Sequence, residues 1–449
     1  MRREIGAGQQ RLVSRRAVSL SPPRLMAITF LVLVLLGALA LLLPGMTRSA
    51  ITPLQALFTA TSALMVTGLA VVDTGATFTI GGQLVIAVLM QIGGIGTMAI
   101  AALALLMSGG RPPLRTHILV GESIGQTRFR DLRKVIRLAL SIALGVELIA
   151  AALLSIHFAN ELPWAQALWY GIFHSVSAFN NAGFGLWADS LTRYAADPLV
   201  NLVIPAEIII GGLGFMVLAD PGLLRGRAAL HTRVTLLATA VLLLGGTALF
   251  WLMEAHNPRT LGGHTPAEQM WLAWALSVMP RTAGFNTVDM AGLTDASTLT
   301  TLILMFIGGG TGSTAGGVKV TTIVILLAAT SAVLKHRAEP VLLGRLLPNE
   351  AVYRAFAILA VAMLTLLLAT LVLMATQSLP FVDLLFETVS ALGTVGVSRG
   401  ITARLDTVGQ IIVMALMFIG RVGPLTLVYG LATARASRVQ YPVAEVYVG

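Results

Sequence analysis

Apolar runs long enough to cross a lipid bilayer recur along this chain of 449 residues. A helix needs about 20 residues to span a hydrocarbon core of about 30 Å. Eight runs come close to that length or exceed it, and they are Leu25 to Leu43, Ile80 to Met107, Leu138 to Phe158, Leu199 to Leu218, Val234 to Met253, Leu299 to Leu334, Ala355 to Met374 and Val408 to Ala434. Only 11% of the residues are charged. The sequence therefore predicts an all-α membrane protein with eight transmembrane helices.

Most Lys and Arg residues lie in alternate connections between these runs, which predicts the orientation of the chain. They concentrate in the N-terminal arm, in the connections after the second, fourth and sixth runs, and after the eighth. Because cytoplasmic loops carry the excess of positive charge, both termini are predicted to be cytoplasmic, as a basic arm at 1–24 and a tail at 435–449. Topology explains the net charge of +10, so the charge does not indicate nucleic acid as a partner.

The outer connections each contain a shorter apolar segment that ends at a glycine. These segments are Thr52 to Gly68, Pro163 to Gly183, Pro266 to Gly284 and Pro380 to Gly396. Ten residues before each glycine stands an aromatic residue, and six before it stands Ser62, Ser177, Val278 or Ser390. Each segment is predicted to be a re-entrant pore helix, which is tolerated at depth only inside protein or beside an aqueous cavity. Four span–pore helix–span units around one central pore follow, at 25–107, 138–218, 234–334 and 355–434.

The four turns that follow these helices are the predicted binding site for a cation. They read Val66-Thr67-Gly68-Leu69, Asn181-Ala182-Gly183-Phe184, Thr282-Ala283-Gly284-Phe285 and Thr394-Val395-Gly396-Val397. Since glycine accepts a positive φ without steric cost, such a turn can aim successive carbonyl oxygens at one axis. Rings of carbonyl oxygens replace the hydration shell of a monovalent cation. The alternative is a set of glycine-rich turns that serve packing alone.

The sixth apolar run is interrupted by a segment that is too rich in glycine to stay helical. It reads Gly308-Gly309-Gly310-Thr311-Gly312-Ser313-Thr314-Ala315-Gly316-Gly317. Each glycine costs about 1 kcal/mol relative to alanine in a helix. The segment does not match a phosphate-binding loop, because Val318 separates Gly317 from Lys319. It is predicted to line or plug the cavity, with Lys319 snorkelling or pairing with an acidic group when the segment moves.

Several ionisable residues stand inside the predicted spans and pore helices, where a charge is costly and usually functional. Arg421, mid-way along the last run, either has a functional role or forms a salt bridge to another span. Glu147 and Glu207 are candidates for that partner or for a proton relay. His174 and Glu387 stand nine residues before the glycines of the second and fourth turns, where they either orient the turns, attract cations or satisfy the backbone.

On these motifs the chain resembles the Trk/Ktr/HKT superfamily of potassium transporters over essentially its whole length. Its eight runs make it more similar to the KtrB type of membrane subunit than to the longer TrkH type. In that family the four turns form the selectivity filter, the broken segment is an intramembrane gating loop, and an arginine placed like Arg421 projects into the pore. The resemblance implies K⁺ as the transported ion, since sodium-selective members have serine where this chain has Gly68. Asn181 and Ala182 depart from the Thr-Val pattern.

The same resemblance implies the cellular setting. It implies a bacterial plasma (inner) membrane, a homodimer, a cytosolic ring of RCK-type nucleotide-binding regulatory subunits (KtrA-like), and Na⁺ as an activator. The predicted function is inward conduction of dehydrated K⁺ driven by the membrane potential. The alternative is a secondary transporter coupled to H⁺ or Na⁺. An enzyme is not expected, because no nucleophile–base pair or metal cluster is visible within the spans.

Overall fold

The structure is a computed structural model that describes residues 22–107, 132–223 and 225–423. The predicted cytoplasmic tail (435–449), the predicted basic arm up to residue 21, and the last part of the eighth apolar run (424–434) lie outside the described residues. The same holds for most of the basic connection after the second run.

Almost every element of the described chain is helical. The α-helices are α1 (Pro22–Leu41), α2 (Pro53–Leu64), α3 (Thr74–Thr77), α4 (Ile80–Met107), α5 (Leu132–Phe158), α6 (Trp164–Phe179), α7 (Pro198–Leu213), α8 (Phe215–Leu218), α9 (Leu230–Glu254), α10 (Pro266–Val278), α11 (Asp295–Phe306), α12 (Val320–Leu334), α13 (Asn349–Thr376), α14 (Phe381–Gly393) and α15 (Thr407–Val422). Short 3₁₀ turns occur at Thr192–Tyr194, Met290–Gly292 and Thr402–Arg404, and β1 (Val341–Leu342) pairs antiparallel with β2 (Arg345–Leu346).

Three helical stretches of the described chain are long and apolar enough to cross a membrane, namely Leu140–Phe158, Leu230–Glu254 and Asn349–Thr376. Shorter apolar helical stretches are Leu25–Leu41, Ile80–Gly96, Pro198–Leu213, Asp295–Phe306, Val320–Leu334 and Thr407–Val422. One expected span, Leu199 to Leu218, is wrong as a single helix. It breaks at Gly214, whose φ of 96° ends α7 and lets α8 begin in a new direction.

The short helices α2, α6, α10 and α14 each begin at or directly after a proline, and α2 and α10 also have a side-chain cap. In α2, the Thr52 side chain accepts a hydrogen bond from the Gln55 amide, and the Gln55 side chain bonds back to the Thr52 amide. Thr265 and Glu268 form the same capping box at the start of α10. Because proline lacks an amide hydrogen, it fits the first helical turn without losing a bond. Proline therefore marks the start of all four short helices, and a capping box stabilises that start in α2 and α10.

Four structural units, each with a long helix, a short helix and a third helix, pack around a closed ring. Within the units, α1 packs on α2, α5 on α6, α9 on α10 and α13 on α14. Between the units, the third helix of one unit packs on the short helix of the next: α4 on α6, α7 on α10, α11 on α14 and α15 on α2. The last of these contacts joins the fourth unit back to the first. The aromatic residue ten positions before each turn glycine anchors this packing, and Phe58, Phe173 and Phe386 are fully buried.

The connection between α8 and α9 is held by one carboxylate. Asp220 accepts hydrogen bonds from the Gly222 amide (2.8 Å), the Ala229 amide (2.9 Å) and the Thr232 hydroxyl (2.6 Å). Burial works to raise the pKa of Asp220, but these hydrogen bonds outweigh it and hold the pKa below its usual value of 3.8. A carboxyl with a lowered pKa stabilises the fold above its usual pKa, and this stabilisation is lost as the pH falls through the lowered value.

We expect Asp220→Asn to reduce the free energy of unfolding at pH 7 by about 1 kcal/mol, because one oxygen acceptor is lost. Thermal unfolding of the detergent-solubilised protein measures the change. Thr232→Val removes one of the three donors and should lower stability less. The difference between wild type and Asp220→Asn should shrink as the pH falls below the usual carboxyl pKa of 3.8 and through the lowered pKa of the folded state. An unfolding midpoint unchanged by Asp220→Asn at pH 7 would contradict this role.

Candidate functional site

The four short helices all end in turns with the same backbone course. The first residue of each turn has a left-handed backbone, and so does the glycine two positions later. The φ values are 56° and 92° at Val66 and Gly68, 58° and 71° at Asn181 and Gly183, 65° and 77° at Thr282 and Gly284, and 49° and 93° at Thr394 and Gly396. A left-handed backbone is costly for most residues with a Cβ and less so for asparagine. Val66, Thr282 and Thr394 nevertheless adopt it at the position that Asn181 has in the second turn, which indicates that all four turns meet the same structural constraint.

Serine side chains hold two of these turns directly. The Ser62 carbonyl accepts a hydrogen bond from the Thr67 amide (2.8 Å), and its hydroxyl accepts one from the Gly68 amide (3.1 Å). Ser390 makes the same two bonds to the fourth turn, at 2.8 and 3.1 Å. In the second turn the Ser177 carbonyl accepts from Ala182, but the Ser177 hydroxyl has no partner. The serine that recurs six residues before the glycine therefore binds the glycine amide in the first and fourth turns.

The third turn is built differently, as its sequence suggested. Val278 stands in place of the serine, and the Met279 carbonyl accepts hydrogen bonds from Ala283 (3.0 Å) and Gly284 (3.4 Å). Close by, Arg281 is buried and its guanidinium donates to the Gly308 carbonyl at 3.3 Å. Arg281 was not among the residues predicted from the sequence, although its position three residues before the turn glycine was a signal.

The four glycines lie against one another in a closed ring. A Cβ added to Gly68 would lie 2.6 Å from the Ala182 oxygen, one on Gly183 would lie 3.0 Å from the Ala283 oxygen, and one on Gly284 would lie 2.7 Å from the Val395 oxygen. A Cβ on Gly396 would overlap the Thr67 oxygen of the first turn. Each unit thus presses its glycine against the carbonyl oxygen that precedes the glycine of the next unit. The residue after each glycine (Leu69, Phe184, Phe285 and Val397) is buried in the core behind the ring.

The glycine-rich segment 308–317 connects α11 to α12 on the side of the ring where the short helices end. Its first half follows the break between α7 and α8: Gly310 donates to the Gly212 carbonyl (2.8 Å), and the Phe215 amide donates to Gly312 (3.1 Å). Thr314 bonds the second turn through its hydroxyl, at 2.8 Å from Asn181 Oδ1.

The second half of segment 308–317 reaches the fourth turn. A Cβ on Gly316 would overlap the Thr394 hydroxyl, and one on Gly317 would lie 3.4 Å from the Gly393 oxygen. The second and fourth units stand opposite each other in the ring. The segment therefore passes from one side of the ring to the other.

Lys319 closes this segment on itself. Its ammonium group donates hydrogen bonds to the carbonyl oxygens of Ala315 (2.6 Å) and Gly316 (3.3 Å). Among the described residues, the partners of the ammonium group are these carbonyl oxygens and not a carboxylate, and snorkelling or acidic pairing when the segment moves stays a prediction. Lys319 satisfies carbonyl groups that the broken helix leaves without partners.

Arg421 joins three parts of the ring. It lies in the last turn of α15, which ends at Val422 because Gly423 has a φ of 93°. Its guanidinium donates to the carbonyl oxygens of Thr314, Gly93 and Gly94, so the fourth unit is tied to the first unit and to segment 308–317.

The alternative of a salt bridge between Arg421 and a span is wrong for the described chain. Every oxygen bonded to the Arg421 guanidinium there is a backbone carbonyl, and no carboxylate lies within bonding distance in residues 22–107, 132–223 and 225–423.

Glu147 and Glu207, the two candidate partners, bind neutral groups instead. Glu147 accepts hydrogen bonds from Gln91 and Asn180, each at 3.1 Å. Glu207 is 1% exposed, contacts the Ser175 hydroxyl at 2.6 Å, and leaves its other oxygen without a partner. In the part of the chain that the structure describes, no group of three or more His, Cys, Asp or Glu residues could hold a metal ion.

His174 and Glu387 each fix the chain that follows a turn. His174 Nδ1 lies 2.8 Å from the Tyr170 carbonyl, and Nε2 accepts from the Leu186 amide at 3.3 Å. Glu387 accepts hydrogen bonds from the hydroxyls of Ser398 (2.7 Å) and Thr402 (2.5 Å). Both side chains are fully buried, so the contacts match the orienting and backbone-satisfying roles and leave neither side chain facing solvent.

A second motif, which was not recognised in the sequence, occurs once in each of the four units. It is Ile92-Gly93-Gly94, Ile210-Gly211-Gly212, Ile307-Gly308-Gly309 and Ile419-Gly420-Arg421. A Cβ on the first glycine of each would overlap a backbone carbonyl oxygen, at Leu64, Phe179, Gly316 and Leu392 respectively. Three of those carbonyls belong to ends of the short helices. Arg421 therefore occupies the place of a glycine in a repeated pattern, and the recurring Ile-Gly pair, whose glycine stands 24 to 28 residues after each turn glycine, was the signal in the sequence.

Comparison with known proteins agrees with this architecture. The family model described as "TrkH: Cation transport protein" matches residues 24–222 and 228–437. The solved structure of the potassium transporter TrkH from Vibrio parahaemolyticus superposes with a TM-score of 0.75 at 19% identity, covering 93% of this chain and 86% of that one. The chain therefore has the TrkH fold.

Relatives of similar length are more alike in sequence. Ktr system potassium uptake protein B of Bacillus subtilis is 40% identical over 96% of this chain and 98% of its own, and that of Vibrio alginolyticus is 41% identical over 95% of each. Potassium/sodium uptake protein NtpJ of Enterococcus hirae is 37% identical over 96% of this chain and 98% of its own.

These matches define a membrane transport protein, not an enzyme, and the chain belongs to the TrkH family of cation transport proteins. The resemblance seen in the sequence is confirmed.

Ser62→Ala and Ser390→Ala should each reduce the free energy of unfolding by about 1 kcal/mol, because each leaves a buried glycine amide without its acceptor. Ser177→Ala is the matched control, since the Ser177 hydroxyl has no partner. Thermal unfolding in detergent measures all three. Equal shifts for Ser177→Ala and Ser62→Ala would show that the hydrogen bond to the glycine is not what stabilises the turn.

Proposed function

We propose that this protein is the ion-conducting transmembrane subunit of a bacterial potassium-uptake system, and that dehydrated K⁺ moves inward through the ring of four turns. The observation that carries the proposal is the closed ring in which each glycine lies against the carbonyl oxygen of the next unit. Backbone carbonyls are neutral, strong acceptors that can replace water around a monovalent cation without trapping it. The selectivity filter would consist of the sixteen residues of the four turns named above.

Potassium is favoured over sodium by two further observations. Gly68 stands at the position where the resemblance associates serine with sodium selectivity. Relatives that cover nearly the whole chain are named as potassium uptake proteins, and one is named for both potassium and sodium. The driving force would be the membrane potential, about 2.3 kcal/mol per charge for each 100 mV.

The proposed topology places eight spans in the plasma (inner) membrane, with both termini cytoplasmic and α2, α6, α10 and α14 as re-entrant pore helices. Supporting it, the outward faces of the long helices carry exposed leucines such as Leu148, Leu244 and Leu371, which suit lipid rather than water. The four proposed repeats are 25–107, 138–218, 234–334 and 355–434.

The proposed gate is segment 308–317 together with Lys319 and Arg421. Its support is the position of the segment between the second and fourth turns, which are opposite in the ring. A backbone segment across the axis blocks a cation. The contacts that its removal would break include hydrogen bonds of backbone amide, carbonyl, hydroxyl and guanidinium groups.

The proposed assembly is a homodimer that binds a cytosolic ring of RCK-type nucleotide-binding subunits, with Na⁺ as an activator. Two close relatives are named as protein B of a Ktr system. The homodimer, the nucleotide-binding ring and the activation by Na⁺ rest on the resemblance to the Trk/Ktr/HKT superfamily.

The function is tested by the Gly68→Ser variant in liposomes. Serine at a φ of 92°, with a Cβ only 2.6 Å from the Ala182 oxygen, must push the first turn away from the second. We expect the K⁺/Na⁺ permeability ratio, measured by cation flux into liposomes at a fixed voltage, to fall by about tenfold, which is about 1.4 kcal/mol of discrimination. A variant that is folded and keeps the wild-type ratio would count against these turns as the filter. Gly145→Ser, at a glycine with no neighbour within 4 Å of an added Cβ, is the control.

A secondary transporter coupled to H⁺ is the second candidate, favoured by the buried carboxyls Glu147 and Glu207, which have no cationic partner within the described residues. A coupled transporter needs a group that gains and loses a proton in each cycle.

The proton-coupled alternative is tested with Glu207→Gln in the same liposomes, because glutamine keeps the shape of a protonated acid but cannot titrate. Under the conduction hypothesis, flux at fixed voltage does not depend on a proton gradient, and Glu207→Gln changes it less than twofold. Dependence of wild-type flux on the gradient, lost in Glu207→Gln, would instead establish proton coupling.

A further inference from the structure

The second turn differs from the other three in how its first residue is bonded. Val66 cannot form a side-chain hydrogen bond, and the hydroxyls of Thr282 and Thr394 have no partner in the described structure. Asn181, in contrast, accepts a hydrogen bond through Oδ1 from the Thr314 hydroxyl at 2.8 Å. Among the first residues of the four turns, this is the side chain that bonds segment 308–317.

Asn181 occupies a space that two glycines leave open. A Cβ on Gly211 would lie 3.0 Å from Asn181 Oδ1, and one on Gly212 would lie 3.7 Å from its Nδ2. The asparagine is 1% exposed, so water does not replace a lost partner readily. Its amide group is therefore placed by α7 to meet segment 308–317.

Thr314 is the residue of segment 308–317 where the contacts meet. Its amide donates to the Gly211 carbonyl (3.2 Å), and its own carbonyl accepts from Arg421. Its hydroxyl lies 2.8 Å from Asn181 Oδ1 and 3.2 Å from the Phe179 carbonyl. A hydroxyl has one hydrogen to donate, and the shorter contact is to Asn181.

The second turn also lacks the support that the first and fourth turns have. Ser62 and Ser390 bind the glycine amides of their own turns, whereas the Ser177 hydroxyl makes no bond to Gly183. All three of these turns keep a backbone bond to their own short helix, and in the second turn it runs from the Ala182 amide to the Ser177 carbonyl (2.7 Å). The second turn differs in its side-chain bond, which comes from Thr314 of segment 308–317, whereas the first and fourth turns receive theirs from the serine of their own helix.

We propose that Asn181 and Thr314 form a latch that couples the position of segment 308–317 to the conformation of the second turn. Displacement of the segment then changes the selectivity of the ring as well as its flux, because the second turn loses the side-chain bond that holds it. This inference rests on the proposed function, in which the ring is the filter and the segment is the gate. In it, Asn181 and Thr314 act as positioning residues.

The test is a double-mutant cycle in liposomes of the full chain. Thr314→Val removes the hydroxyl at nearly constant volume, and Asn181→Thr introduces the residue of the third and fourth turns. Each change should alter the K⁺/Na⁺ flux ratio by about fivefold, or about 1 kcal/mol at 1.4 kcal/mol per factor of ten. The double variant should change the ratio no further than either single variant, because both remove the same bond. Thr314→Ser keeps the hydroxyl and should retain the wild-type ratio.

Thr321→Val is the matched control. The Thr321 hydroxyl lies 2.9 Å from that of Thr311, so this variant loses a hydroxyl contact to segment 308–317 but none to a turn. It should leave the flux ratio unchanged. If Thr314→Val is not recovered as a folded protein, Thr314→Ala takes its place in the cycle, and size-exclusion profiles identify the folded variants.

Two outcomes would overturn the latch. Effects of Asn181→Thr and Thr314→Val that multiply in the double variant would show that the residues act independently. A raised flux with an unchanged ratio in Thr314→Val would show that the segment blocks ions without affecting the filter. Failure of the proposed function would be seen in a different variant, one that lacks residues 309–317. If that variant is folded and its basal flux is no higher than that of wild type, segment 308–317 is not a gate, whatever the result of the double-mutant cycle.

Discussion

The contact between four glycines and four carbonyl oxygens determines how closely the four units must pack. At Gly68, Gly183, Gly284 and Gly396, an added Cβ would meet the backbone of the next unit at 3.0 Å or less. Backbone atoms cannot move aside as a flexible side chain can, so the units must carry glycine or separate. The caps that start the short helices, the aromatic anchors and the helix packing between units all serve to bring these four backbones to that distance.

The four units are alike in course but not in bonding, and the differences are chemical. The first and fourth turns use a serine hydroxyl to bind the glycine amide, while the third turn uses the Met279 carbonyl. The second turn leaves its serine hydroxyl unbonded and meets Thr314 through Asn181. A ring of four identical chains cannot differ in this way. In one chain with four repeats, one turn can bond segment 308–317 while the other three turns keep the structure of the ring.

The sequence was sufficient to predict the helical membrane architecture and the family, because hydrophobic length and the turn glycines are strong local signals. It also singled out Arg421 and the broken helix. It did not predict the partners of Arg421, because they are backbone carbonyl oxygens, which every residue has and no sequence pattern distinguishes. The break at Gly214 was missed for a related reason: Gly211, Gly212 and Gly214 look like helix-packing glycines until segment 308–317 is placed against them.

The choice of carbonyl partners for Arg421 bears on how segment 308–317 is held. A buried arginine paired with a carboxylate would leave an uncompensated charge whenever the pair separated, at a cost of several kcal/mol. Carbonyl groups are neutral, and the glycine pair Gly93-Gly94 supplies two of them on the opposite side of the guanidinium from Thr314. Loss of the Thr314 contact alone would leave the contacts of Arg421 to the first unit in place. Segment 308–317 would then be held without making its release prohibitive, which is what the proposed gate requires.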